Sequence, residues 1–166
     1  MASASAGELA GQRVVVVDNL GNHDVAVALD RIAAASARIC YLTPFLYPAP
    51  NVGTIHLDGL LRRLHMAGAE LHPSTEFVEL RAGMVVARHL HSGAQINHRA
   101  DLVVAGIASR PLLTLAPILD DLRIPYQVAG DAVAARTALH AFREGANAVL
   151  RLETQILGDP NRRRRR

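Results

Sequence analysis

The residues best placed to do chemistry lie in one short turn, Asp18-Asn-Leu-Gly21-Asn22-His23-Asp24. It follows a continuous apolar run and precedes a helical pattern. In that setting, backbone N–H groups and a helix N-terminus converge on the phosphates of a nucleotide. Asp18, Gly21, Asn22 and His23 are therefore the candidate phosphate-turn residues. The dinucleotide fingerprint G-x-G-x-x-G has three glycines and this turn has one. Asp24 sits where a pyrophosphate would bring negative charge, which opposes binding, and it also reads as a helix cap. At the end of the next apolar segment, where an acid would hydrogen-bond an adenosine ribose, the sequence has Thr43-Pro44. Thr43 can make one hydroxyl contact, and no neighbouring arginine suits a 2′-phosphate, so neither NAD nor NADP is specified.

Other constellations are thinner. His89 and His91 share one strand face, with His98 in the same region and His65 and His72 nearby in sequence. A metal site is geometrically open to them, but no carboxylate or thiolate obviously completes it, and exposed histidines are the expectation. Cys40 is the only cysteine. As a lone cysteine it is expected to make no internal disulfide, no cysteine zinc site and no iron–sulfur cluster within this chain. There is no G-x-S-x-G elbow and no acid pair for general acid–base work. No catalytic residue and no metal ligand are expected.

These residues need a scaffold, and the hydrophobic pattern supplies one. Arg13-Val-Val-Val-Val-Asp18 has the pattern of a strand buried on both faces of a parallel sheet. Val25 to Ser36 reads as a helix and Ala37 to Thr43 as a second strand, completing a unit of about thirty residues, the size of a βαβ crossover. Pro44 to Gly53 is loop; Thr54 caps a helix whose stripe is Leu57, Leu60, Leu61 and Leu64. Ala69 to His72 reads as a third strand. Segments 77–80, 84–90 and 94–98, separated by Ala82-Gly83 and Ser92-Gly93, form a small antiparallel meander. Asp101 to Ala105 is another buried strand, Pro111 to Leu122 a helix, Tyr126 to Gly130 a final strand, and Asp131 opens a long helix ending near Leu152. That order is α/β: a Rossmann-like dinucleotide-binding domain with a parallel sheet and a β-meander.

All 18 basic residues are arginine, and five of them form the run 162–166; without that run 13 arginines face 15 acids, a net of −2 rather than the whole chain's +3. The positive charge thus belongs to a tail. With three Tyr, three Phe and no Trp, few aromatic platforms are available to stack bases, so a nucleic-acid partner is disfavoured. No apolar run approaches the ~18 residues that span a bilayer. The opening Met1 to Gly7 has neither the basic start nor the apolar stretch of a secretory signal, so the cytoplasm is the expected location.

Several of these segments together carry a resemblance. They are Val14 to Asp18, the Gly21 turn, Leu60-Leu-Arg-Arg-Leu-His65, Ala100-Asp-Leu-Val-Val-Ala105 with Arg110-Pro111, and Gly130-Asp131-Ala132 with Arg136. In order and spacing the chain resembles, over residues 12–152, the C-terminal half of the trimethylamine dehydrogenase and 2,4-dienoyl-CoA reductase family of NADH:flavin oxidoreductases. Its members resemble three joined parts: an old-yellow-enzyme-type barrel holding FMN and an iron–sulfur cluster, then two nested dinucleotide-binding domains. The resemblance implies a division of the chain into 1–11, a flexible lead-in; 12–115, an NAD(P)-type Rossmann-like domain; 116–154, the terminal strand and helix of a FAD-type domain; and 155–166, an arginine-rich tail. It further implies that Gly130, Asp131 and Arg136 face a flavin or adenine nucleotide (FAD, ADP or NAD(P)), although Asp131 also reads as a helix cap. Ala135 departs from the family pattern, which tends to have proline. FMN, the cluster and the substrate site are expected on a larger, barrel-containing flavoprotein chain, to which this one docks as a small subunit. The terminal helix would then present Leu139, Phe142, Val149 and Leu150 to a partner. The alternative is a non-catalytic nucleotide-binding or structural interaction module.

Overall fold

The structure, a computed structural model, describes residues 9–158. The arginine run and the first eight residues of the expected lead-in lie outside the described residues. The chain divides after Ile107 into two units.

The first unit is a mixed α/β structure. Strands β1 (Arg13–Asp18), β2 (Arg38–Leu42), β3 (Glu70–His72) and β7 (Leu102–Gly106) form a parallel sheet in the order β3-β2-β1-β7. Strands β4 (Thr75–Arg81), β5 (Met84–His89) and β6 (Gln95–Arg99) form the antiparallel meander. The valine run explains the layering, because alternate side chains of a strand point to opposite faces. Val14 and Val16 pack with Val25, Leu29 and Ile32 of helix α1 (His23–Ala34) and with Leu60 and Leu64 of helix α2 (Thr54–Met66). Val15 and Val17 face the other way, with Cys40 and Leu42 of β2 and Val85 and Ala87 of β5. A strand buried on both faces therefore has helices on one side and the meander on the other, and all four valines are inaccessible or nearly so.

Local details differ from the sequence expectations in instructive ways. Leu9 packs into the core, the Gly11 N–H donates to the Ser36 carbonyl at 3.1 Å, and the Arg38 N–H donates to Gln12 O at 2.8 Å, so the last residues of the expected lead-in, 9–11, pack with the domain that follows. Helix α1 is capped by Asn22, whose Oδ1 accepts from the Val25 N–H at 3.3 Å, leaving Asp24 as an acid in the first turn. In α2 the N-cap position is Gly53, without a side-chain cap bond, and Thr54 is already helical.

In the second unit the expected helix from Pro111 shrinks to α3 (Ala116–Asp121), with a proline in its first turn. The expected strand over 126–130 does not form. A strand needs a ladder partner for its N–H and C=O groups, and the described residues of this unit contain no other strand. Helix α4 runs from Ala138 to Leu157 rather than from Asp131; Gly130–Ala132 is a short 3₁₀ turn instead. Glu144 of α4 explains the late start: it accepts from the Gly130 N–H at 2.9 Å and pairs with the Arg136 guanidinium, holding 130–136 as a folded-back turn. Among the described residues of this unit none is buried. No described helix is long and apolar enough to cross a membrane.

Arg13 and Asp101 tie β1 to the entry of β7. The Asp101 carboxylate accepts the Arg13 backbone N–H at 2.8 Å and the Nε–H and Nη2–H of its guanidinium at 3.1 and 2.8 Å. These bonds hold the carboxyl at about 2, below its ordinary 3.8. A depressed carboxyl contributes stability that is full above its ordinary value and is lost as pH falls through the folded one. Asp101→Asn is therefore expected to lower the urea midpoint at neutral pH, with the deficit shrinking as the pH approaches about 2. Urea titrations of both proteins across that interval check it.

Candidate functional site

The turn after β1 is organised by one carboxylate. Asp18 is fully buried; its Oδ1 accepts from the N–H groups of Leu20 at 2.9 Å and Gly21 at 2.7 Å, and its Oδ2 from the Tyr41 hydroxyl at 2.6 Å. Thr43, also buried, donates its hydroxyl to the Asp18 carbonyl at 2.8 Å. Burial, then the bond to Asp18, pushes the Tyr41 phenol far above its ordinary value, so it remains a donor. A buried carboxylate with three donors is a satisfied one.

The proline-rich loop 44–53 closes over this turn. Asn51 donates its N–H to Gly21 O at 2.8 Å and its side-chain amide to Leu20 O at 2.7 Å, and the Ala49 N–H donates to the Tyr41 hydroxyl at 3.3 Å. Gly21 has φ +59°, and a Cβ there would fall 2.5 Å from Pro50 Cδ and 3.0 Å from Phe45. Glycine is needed here for the left-handed backbone and for the proline, a demand independent of any ligand. Gly106 makes a similar approach on the other side of β1, where a Cβ would meet Val25 Cγ2 at 2.4 Å.

The structure brings Asp18, Gly21, Asn22 and Thr43 together but uses their groups internally. The Leu20 and Gly21 N–H groups, which would cradle a phosphate, face Asp18; the Asn22 side chain caps α1. His23 is exposed at the helix start, its ring 5.8 Å from that of His56, beside the exposed acid Asp24. The second unit repeats the theme. The Gly130 N–H and the Arg136 guanidinium both engage Glu144, while Asp131 is exposed. Glu144 carried no signal in the sequence, because its role depends on α4 folding back onto a turn fourteen residues earlier. The Leu20, Gly21 and Gly130 N–H groups are thus taken, and a pyrophosphate could use them only by displacing an internal carboxylate.

A third cluster was not assembled from the sequence. The Cys40 Sγ lies 3.3 Å from His98 Nδ1, the rings of His72 and His98 are 4.7 Å apart, and His72 Nε2 is 3.8 Å from Glu70 Oε2. Burial, then the charge of Glu70, raises the Cys40 thiol to about 12; burial, then His72, lowers His98. His89 and His91, which share a strand face in the sequence pattern, lie outside this cluster: their rings are 5.7 Å apart and His89 Nδ1 is bonded to the Ser92 hydroxyl.

No family model matches the chain, and no curated protein matches it in sequence. Solved structures do match. Histamine dehydrogenase from Rhizobium sp. 4-9 superposes with a TM-score of 0.73 at 21% identity, over 84% of this chain and 23% of that one. A 6-hydroxypseudooxynicotine amine oxidase from Pseudomonas geniculata N1 gives 0.71 at 25% identity, over 86% and 22%. The structure of 2-naphthoyl-CoA reductase with 2-naphthoyl-CoA gives 0.63 at 17%, over 82% and 20%. The chain has a fold found in oxidoreductases. It spans less than a quarter of the length of each.

Tyr41→Phe keeps the ring but leaves Asp18 Oδ2 buried without its donor, and is expected to cost about 1–3 kcal/mol. Gly21→Ala, strained in φ and against Pro50, is expected to cost a similar ~1–3 kcal/mol with no ligand present. Urea denaturation of the ligand-free chain measures both.

Proposed function

We propose that this chain is a non-catalytic, dinucleotide-fold subunit of a flavin-dependent oxidoreductase. In this reading it docks onto a larger chain that carries the barrel, FMN, the iron–sulfur cluster and the substrate site. The observation that carries the reading is the extent of the structural match. Similarity over 84–86% of the chain exceeds what residues 1–107 could supply, so it takes in residues of both units. Two features support the docking role. The one thiol–imidazole contact among the described residues, Cys40 Sγ to His98 Nδ1, involves a buried thiol that burial raises to about 12, a poor start for turnover. Leu139, Phe142 and Val149 lie at helical spacing on α4 and are 58–78% exposed, an apolar stripe of the kind that a partner covers. Of the substrates that the resemblance implies, an amine is favoured over an enoyl thioester, because two of the matched proteins are named for amines.

The second reading is a nucleotide held by this chain itself. It is favoured by the start of the twelve-residue α1, where Asn22 is half-buried and His23 exposed, and opposed by the internal use of the Leu20 and Gly21 N–H groups. FAD or an adenine nucleotide would meet this chain at Asn22 and His23 in the first unit or near Asp131 in the second.

Native purification, an absorption spectrum and a gel test the docking role: a yellow complex with a larger chain is expected, and a colourless single-chain protein would overturn it. Phe142→Glu with Val149→Glu should abolish that co-purification while shifting the chain's own stability by no more than about 0.5 kcal/mol, as for exposed sites. Calorimetry separates the two readings. The chain alone is expected to ignore ADP, NADH and FAD, and Asp24→Asn should not change this. Measurable ADP binding that tightens when the Asp24 charge is removed would establish the nucleotide at α1.

A further inference from the structure

The sheet arrangement of the first unit assembles four metal-ligating side chains from three strands. Glu70 and His72 are two residues apart on β3 and so share a face. The parallel ladder pairs Cys40 of β2 with Glu70. His98 lies opposite Val85 in the meander, and Val85 packs in the same cluster as Cys40, so the meander brings His98 down onto the parallel sheet. One ligand atom from each of the four lies within 4.8 Å of the other three.

Two features mark this as more than a chance meeting of side chains. The Nε2 atoms of His72 and His98 are both buried without a hydrogen-bond partner. Buried polar nitrogens are ordinarily paired, because leaving one unpaired costs free energy. The donor spacing also suits a single small ion. With metal–ligand bonds of about 2.0–2.3 Å, a tetrahedral ion holds its ligand atoms about 3.3–3.8 Å apart, so closing the widest gap asks for about 1–1.5 Å, shared between two side chains.

We infer that Cys40, Glu70, His72 and His98 form a mononuclear site for a divalent transition-metal ion of the zinc type, fastening the parallel sheet to the meander. One thiolate and one carboxylate neutralise a dication, and two imidazoles complete a four-coordinate set of sulfur, nitrogen and oxygen. That donor set suits zinc or cobalt and does not suit magnesium or calcium, which take oxygen ligands. Glu70, with its side chain 72% exposed, is the ligand that exchanges with solvent, while His72 is 28% exposed. A cleft of about 310 Å³ lined by Cys40, Glu70, His98 and Arg38 gives the ion its way in. Because the ligands come from β2, β3 and β6, the ion acts as a cross-link between strands that are far apart in sequence.

The test uses the full chain stripped with a chelator and titrated with Co²⁺, then with Zn²⁺. One equivalent of Co²⁺ is expected to produce a thiolate-to-cobalt charge-transfer band in the near ultraviolet and the strong visible bands of tetrahedral cobalt, and Zn²⁺ should bleach both. Cys40→Ala should remove the near-ultraviolet band and weaken binding by about 100-fold or more, and His98→Asn should weaken it by at least about 10-fold. His89→Ala, in the meander but outside the cluster, should change neither. Circular dichroism of each metal-free variant reports its folding, and His72→Asn replaces any that does not fold. A wild-type chain that gives no thiolate band, or a band and affinity that survive Cys40→Ala, would overturn the site.

Discussion

Asp18 ends the central strand with its carboxylate removed from water, and a buried carboxylate is tolerated only where donors surround it. Tyr41 on the neighbouring strand and the N–H groups of Leu20 and Gly21 are those donors. Bringing them to the carboxylate dictates the path of the chain beyond β1. The turn must curl back on Asp18, which forces the left-handed Gly21; the curl sets the start of α1 at Asn22. The bare glycine then gives Pro50 its seat, and the Tyr41 hydroxyl and the carbonyls of Leu20 and Gly21 anchor the loop 49–51. One interaction thus aligns β1, β2, α1 and the long loop.

The same interaction bears on function. In a phosphate-binding turn the backbone donors are held ready for an anion that arrives from outside. Here the anion is supplied by the chain. Glu144 does the equivalent in the second unit, taking the Gly130 N–H and the Arg136 guanidinium. A dinucleotide-type scaffold whose donors are satisfied by its own carboxylates keeps its shape without cofactor.

How much the sequence made legible depends on the range of the interaction involved. The valine run was readable as a doubly buried strand because burial on both faces leaves no polar position between 14 and 17. The meander was readable from Gly83 and Gly93, both at positive φ. The α/β class followed from the hydrophobic pattern, whereas the exposed apolar positions on α4 followed only from the family resemblance, which left the terminal helix without sheet neighbours. The uses of Asp18 and Glu144 were not readable, since each depends on a tertiary contact that decides whether an acid points outward to solvent or inward to an amide. The Cys40 cluster was hidden for a related reason. Its members lie up to 58 positions apart, and only the register of β2 on β3 and of β6 on β5 places them together. The last expected strand failed because propensity at 126–130 has no ladder partner in its own unit.

The chain has no tryptophan and three tyrosines, so its ultraviolet emission comes from tyrosine with nothing to mask it. Tyr41 is the one whose phenol donates to a buried carboxylate, a contact that quenches phenol fluorescence. The protein therefore contains an optical gauge at its most constrained point: light from Tyr41 appears when the turn around Asp18 opens, without any label being added.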